Sequence, residues 1–192
     1  MNRFLLAFAL AALCPARTFD VISTNQGGVE VVVVPIHHGS LLLQFRGQAL
    51  YIDPDGQGDY TGLPKADFIF FTASQKNDPA TYASLRKPNV IVIETPLAEP
   101  RTFNGIQAES AGPGYIFTMA GRRFYVAGQS AVPPPGTVDA AFICLSASCA
   151  ATPAEAIRNI NARLLFPYRF EGRDLSALKS AGKSEIRLRR WY

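Results

Sequence analysis

The chain carries only two histidines and three cysteines, the side chains that most readily hold a metal or make a nucleophile. His37 and His38 are adjacent, just past the apolar run Val29–Ile36 (VEVVVVPI). Neighbouring side chains on a strand point to opposite faces, so this pair is poorly placed to share an ion. One solvated imidazole and one hydrogen-bonded near a site is the expectation. Cys144 and Cys149 allow two readings. A thiol with His38 as its base would be a nucleophile. A buried thiol, or a disulfide across a short loop in an oxidising compartment, is the simpler state. Ser176-Ala-Leu-Lys179 matches S-x-x-K by letter, without the S-D-N or K-T-G partners that this chemistry needs. There is no phosphate-cradling glycine loop, no G-x-S-x-G elbow and no N-glycosylation sequon.

These residues sit among short β-rich runs with few helices. Val29–Ile36, Ser40–Arg46 and Gln48–Ile52 read as strands, with a hairpin turn at Arg46-Gly47. Asp53-Pro-Asp-Gly-Gln-Gly58 is dense in turn formers and ends the third of them. Phe68–Phe71 and Val90–Ile93 are fully apolar and read as buried strands. Between them Pro79–Arg86 reads as a helix, with Asp78 as its N-cap. Ile106–Glu109, Tyr115–Met119 and Arg123–Ala127 form an antiparallel set, turning at Gly112-Pro-Gly114 and Gly121. Ala140–Cys144 and Leu164–Phe166 are further buried strands, and Asp139 is expected to cap or buttress the first. Thr152-Pro-Ala-Glu155 is a capping box opening a helix to about Ala162. Leu175–Lys179 reads as a last short helix and Glu185–Arg189 as a closing strand. Strands first, then strands mixed with helices, suits two sheets flanked by helices.

Composition narrows the function classes. At 192 residues the chain is one domain, and 48% hydrophobic residues exclude a disordered chain. Its 15 Gly and 14 Pro show no three-residue period, and no heptad run is sustained. The net charge of +4 is spread out, apart from Arg187, Arg189 and Arg190, so the concentrated basic face of a nucleic-acid partner is missing. Residues 1–16 differ from the rest: Arg3, an apolar run from Phe4 to Cys14, then Cys14-Pro-Ala16 with small residues at peptidase positions. That run is too short to span a bilayer. The reading is a signal peptide over 1–16 and one domain over 17–192, exported to the periplasm or secreted, with no stable membrane span. Leu13 beside Cys14 disfavours lipoprotein cleavage.

Two segments carry a resemblance. They are Leu63–Asp78 (LPKADFIFFTASQKND) and Phe124–Ser130 (FYVAGQS), with Val138–Phe142 (VDAAF) after the second. Together with Ile52-Asp53-Pro54 and Leu165–Arg169 (LFPYR), they resemble the metallo-β-lactamase fold superfamily, in its ascorbate-6-phosphate-lactonase-like branch of zinc-dependent hydrolases. The resemblance runs from about Val29 to Arg189. It implies an αββα sandwich of two mixed β-sheets flanked by helices, here somewhat trimmed, with zinc at the sheet ends.

The same resemblance shows where this chain departs from the family. The first two histidine ligands fall on Ala73 and Gln75, the motif aspartate on Asn77 and the next histidine on Asp78. The bridging aspartate falls on Gln129 and the late histidine on Arg169. The stretch from about Glu94 to Gly114, where a further histidine would lie, contains none and looks shortened. Zinc takes thiolate, imidazole or carboxylate. Amide oxygens suit harder cations, and a guanidinium has no lone pair to give. The residues therefore support no cofactor, although zinc is what the family implies. An Asp78–Arg169 pair, completed by Gln75, Asn77 and Gln129, would plug the site without metal. His37–Ser40 (HHGS) aligns with a segment approaching the site, so His38 would line the pocket, and Asp53 matches a position that supports the metal loop by hydrogen bonds.

Three functions follow as expectations. The first is a pseudoenzyme that binds a small molecule or a protein, and the second a hydrolase using metal-free or unusual-metal chemistry. The third is a fold-only relic, which intact strands, turn glycines and capping disfavour.

Overall fold

The computed structural model describes residues 18–72, 79–128, 134–149, 152–170, 172–173, 175–176, 178, 184–189 and 191. Two sheets are laid face to face. The first orders its strands as they occur in the chain: β1 (Asp20–Ser23), β2 (Glu30–His37), β3 (Ser40–Phe45), β4 (Gln48–Ile52), β5 (Ala66–Phe70) and β6 (Arg86–Ile93). The pairs from β1 to β4 are antiparallel; β4–β5 and β5–β6 are parallel. The second sheet holds β7 (Arg101–Phe103), β8 (Ile106–Ala111), β9 (Gly114–Met119), β10 (Arg122–Val126), β11 (Val138–Cys144), β12 (Ala162–Tyr168) and β13 (Glu185–Ile186). It repeats the plan, an antiparallel meander from β7 to β10 and then parallel pairs through β13.

Period-two alternation decides which side chains meet between the sheets. Leu41, Leu43, Leu50, Ile52, Phe68 and Phe70 from the first sheet pack on Phe117, Phe124, Phe142 and Phe166 from the second. The alternate residues face outward, and each outer face has its own apolar cluster. Tyr82 and Leu85 cover Tyr51, Ile69 and Phe71 on one side, and Ala156 and Ile157 cover Ala141 and Leu165 on the other. The expectation of helix-flanked sheets is thus met only in part, because the helical cover on each outer face is short. Where the sequence reads a helix over Pro79–Arg86, α1 spans Pro79–Tyr82, a 3-10 turn takes Ala83–Leu85, and β6 begins at Arg86. Arg86 joins the strand because Ala66 on β5 offers it a pairing partner, and pairing overrides local helix propensity.

The Thr152–Glu155 capping box is formed as expected, opening α2 (Pro153–Arg158), which stops four residues short of Ala162. Ala162 itself starts β12 in register with Val138. Leu175–Lys179 includes residues outside the described set, and the closing strand is confined to Glu185–Ile186. The short strands β1 and β7 have no apolar run to announce them; each is recruited by a longer neighbour. Asp139 buttresses β10, accepting from Arg122 Nη1 at 2.7 Å and from the Arg123 amide at 2.8 Å. Asp20 on β1 accepts from Arg187 and Arg189, an ion-paired clasp between the first strand and the last segment.

Candidate functional site

Parallel pairing puts the C-terminal ends of β4, β5 and β6 at one edge of the first sheet, and those of β10, β11 and β12 at one edge of the second. Ligands of open α/β sheets bind outside such ends. Here the two edges meet in an inner layer and an outer cavity.

The inner layer begins with Asp53, directly after β4 and only 4% exposed. Its Oδ1 accepts from the Thr72 amide and its Oδ2 from Thr72 Oγ1, both at 2.7 Å. Burial raises its pKa from 3.8 to about 6, against the lowering pull of the Thr72 bonds and of the Arg169 charge. Tyr115 donates to Phe71 O at 3.0 Å and Thr95 O at 3.2 Å, stitching the second sheet to the ends of β5 and β6. Burial, with the Asp53 charge, pushes the Tyr115 phenol up to about 12. Tyr168, closing β12, donates to Gly128 O, and burial drives its pKa upward too. A Cβ on Gly128 would stand 2.8 Å from Thr72 Cβ, and one on Gly114 only 1.9 Å from Val126 O. Side chains larger than hydrogen have no room there, which explains Gly128 in the Phe124–Ser130 segment and Gly114 at the start of β9.

The outer cavity, of about 710 Å³, is lined by His37, His38, Asp55, Gly56, Gln57, Ser146, Ser148 and Arg169. His37 Nδ1 lies 2.8 Å from Asp55 Oδ2, where a ring N–H donates to the carboxylate. Asp55 Oδ1 also accepts from the amides of Gln57 at 3.0 Å and Gly58 at 2.9 Å. Tyr60 fixes this loop, donating to Asp55 O at 2.9 Å and accepting from Asp55 N at 2.8 Å. Burial raises the Tyr60 pKa as well, with a smaller raising contribution from Asp55. On the opposite wall a disulfide joins Cys144 to Cys149 and closes the loop that presents Ser146 and Ser148, whose hydroxyls are 2.7 Å apart.

The histidine geometry differs from the strand-based expectation. β2 ends at His37, and His38 enters the β2–β3 turn at φ +47°, so alternation stops between them. The two rings stack edge to face, with centroids 4.0 Å apart, on the same cavity. The turn packs on the second sheet, since a Cβ on Gly39 would lie 3.1 Å from the Tyr168 ring and 3.7 Å from Arg169 Nε.

In sequence, no family model and no curated protein matches the chain. In structure, a protein from Parabacteroides distasonis described as a metal-dependent hydrolase superposes with a TM-score of 0.76. It is 22% identical, over 90% of this chain and 98% of its own. A Zn-dependent hydrolase of the metallo-β-lactamase superfamily from Thermotoga maritima gives 0.61 at 18% identity, covering 81% of this chain and 96% of that one. The metallo-β-lactamase fold protein YhfI from Bacillus subtilis gives 0.62 at 10% identity, over 84% and 96%. The chain has the metallo-β-lactamase fold. At these identities the likeness is one of fold.

Within the metallo-β-lactamase fold, the sequence-derived positions separate sharply. Asp53, His38 and Arg169 converge on the strand-end region, and Arg169 acts on Asp53 as a charge. Ala73, Gln75, Asn77, Asp78 and Gln129, and with them the Asp78–Arg169 plug, lie outside the described residues. Among the described residues, no three His, Cys, Asp or Glu side chains gather as a metal-binding group, and no helix is long and apolar enough to cross a membrane. Sequence reasoning missed His37 and Asp55 as a pair. Their signal was faint: a histidine at a strand end and the aspartate of a D-x-x-G turn, 18 residues apart.

Proposed function

We propose that this chain is an exported, zinc-independent binding protein on a metallo-β-lactamase scaffold, a pseudoenzyme whose cavity receives a small molecule. Arg169 carries the reading. Its guanidinium lines the strand-end cavity, at the position where the resemblance puts the late histidine ligand. It has no lone pair to give a metal, and a dication beside it would be repelled by several kcal/mol. By the same resemblance, Ala73 offers no donor, Gln75, Asn77 and Gln129 offer amide oxygens, and Asp78 is a single carboxylate. That donor set does not fit zinc. The lactonase-like motifs around Leu63–Asp78 support the branch from which this scaffold comes. Export is supported by the leader-like residues 1–16 and by the disulfide, which belongs to oxidising compartments.

Metal content tests this. Plasma mass spectrometry of protein purified from zinc-supplemented cells without chelators should give less than about a tenth of an equivalent of any transition metal. One or two equivalents would overturn the reading, and His37, His38 and Asp53 would be the first ligands to replace.

One observation favours a second reading, a hydrolase with metal-free chemistry. The Asp55 carboxylate orients His37 as a carboxylate orients a general base. Metal-free turnover of lactones or activated esters, abolished by His37→Ala, would decide for it.

A further inference from the structure

We infer that the cavity is an oxyanion-binding site: it takes a small organic carboxylate or phosphate, with Arg169 as the anchoring cation and the Ser146 and Ser148 hydroxyls as further donors. The inference rests on the zinc-independent reading and names the ligand class for that same cavity.

Backbone conformation points here first. Among the described residues, six other than glycine have φ between +45° and +52°. Arg46, Asn104 and Ala120 each precede a glycine at φ +75° to +85° in two-residue hairpin loops, the ordinary setting for such angles. His38 stands in a two-residue hairpin loop too, His38-Gly39 between β2 and β3, and it lies with Asp53 and Arg169 at the strand-end site. Asp53 and Arg169 stand in no hairpin; each directly follows a parallel strand, β4 or β12. Left-handed residues persist where surrounding structure holds them, and they concentrate at functional sites.

The polar groups supply the chemistry. Among the described residues, the two carboxylates near the cavity are already supplied with donors. Asp53 takes both of its bonds from Thr72, and Asp55 takes His37 and two backbone amides. Neither needs Arg169 as its hydrogen-bond donor. A guanidinium offers five N–H groups in a planar fork matched to carboxylate and phosphate. The disulfide fixes the serine loop against that wall, so its hydroxyls are pre-positioned and little ordering opposes binding.

The test titrates the purified protein by calorimetry with inorganic phosphate and, separately, succinate, against sodium chloride at matched ionic strength, with zinc measured on the same sample. The expected result is saturable binding of one or both oxyanions by zinc-free protein, which tells phosphate from carboxylate preference. Arg169→Gln should weaken it about tenfold to a hundredfold, the range for a charged hydrogen-bond partner. Ser148 is exposed. Ser148→Asp sets a like charge on the rim without touching the core, and should weaken binding about tenfold even if Arg169→Gln fails to fold. Binding no stronger than chloride, or unaffected by Ser148→Asp, overturns the inference while the zinc-free reading stands. Stoichiometric zinc, with binding that disappears on chelation, overturns both.

Discussion

The inner layer and the outer cavity lie side by side at the same strand ends and are built on opposite terms. In the inner layer every named polar group is buried and answered: Asp53 by Thr72, and the Tyr115 and Tyr168 hydroxyls by backbone carbonyls. A buried polar group without a partner is costly, so this layer holds the sheets in one arrangement. The cavity keeps histidines, serines and a guanidinium within reach of solvent, where they add little to folding. Stability is concentrated in one region and chemical capacity in the other.

Gly114→Ala is the strongest way to break the inner layer. The new Cβ would fall 1.9 Å from Val126 O, a backbone atom that cannot swing aside. A loss of at least about 3 kcal/mol is expected in urea denaturation. A near-native midpoint would show that the β9–β10 edge yields where the contact says it cannot.

Asp53 gives the next largest effect, and a sign. Its pKa is raised by burial to about 6, so between about pH 4 and pH 6 the folded chain keeps a proton that the unfolded chain has lost. This group's contribution is therefore full below about pH 4 and lost as pH rises through about 6, about 3 kcal/mol in all. Asp53→Asn cannot titrate. The stability of the natural chain relative to Asp53→Asn should fall by that amount between pH 4 and pH 7, and parallel curves would place Asp53 in wetter surroundings.

The disulfide borders both regions. Cys144 is buried in the core and Cys149 lies by the serine loop. Cys149→Ala should cost about 2 kcal/mol, the loop-closure value for so short a span. Reductant should destabilise the natural chain by a similar amount and leave the variant unchanged. Smallest of all is Ser148→Ala on the exposed rim. It should shift stability by less than about 0.5 kcal/mol. A loss above about 1 kcal/mol in the same denaturation series would erase the distinction between the regions.

Much of the scaffold can be read from local sequence. The apolar runs of β3, β4, β9 and β11 declare themselves, and Arg46-Gly47 and Gly121 mark the turns that join neighbours. The capping box at Thr152 is legible because all its hydrogen bonds lie within four residues. Local pattern is silent where the partner is distant. Arg86 reads as the end of a helix until Ala66 on β5 pairs with it, and β1 and β7 are strands only because β2 and β8 lie alongside.

The site divides in the same way. Sequence by itself determined the residue types at the strand ends: a carboxylate at Asp53, a guanidinium at Arg169, two histidines together and two cysteines five residues apart. Types alone fix which groups can donate a lone pair, which carry charge and which can be oxidised. Only the tertiary structure decided that both imidazoles share one cavity, because that depends on strand β2 ending between them. It also decided that His37 meets Asp55 across the sheet edge, and that Arg169 acts on a buried Asp53. Such pairings depend on long-range register and packing, which no window of neighbouring residues contains.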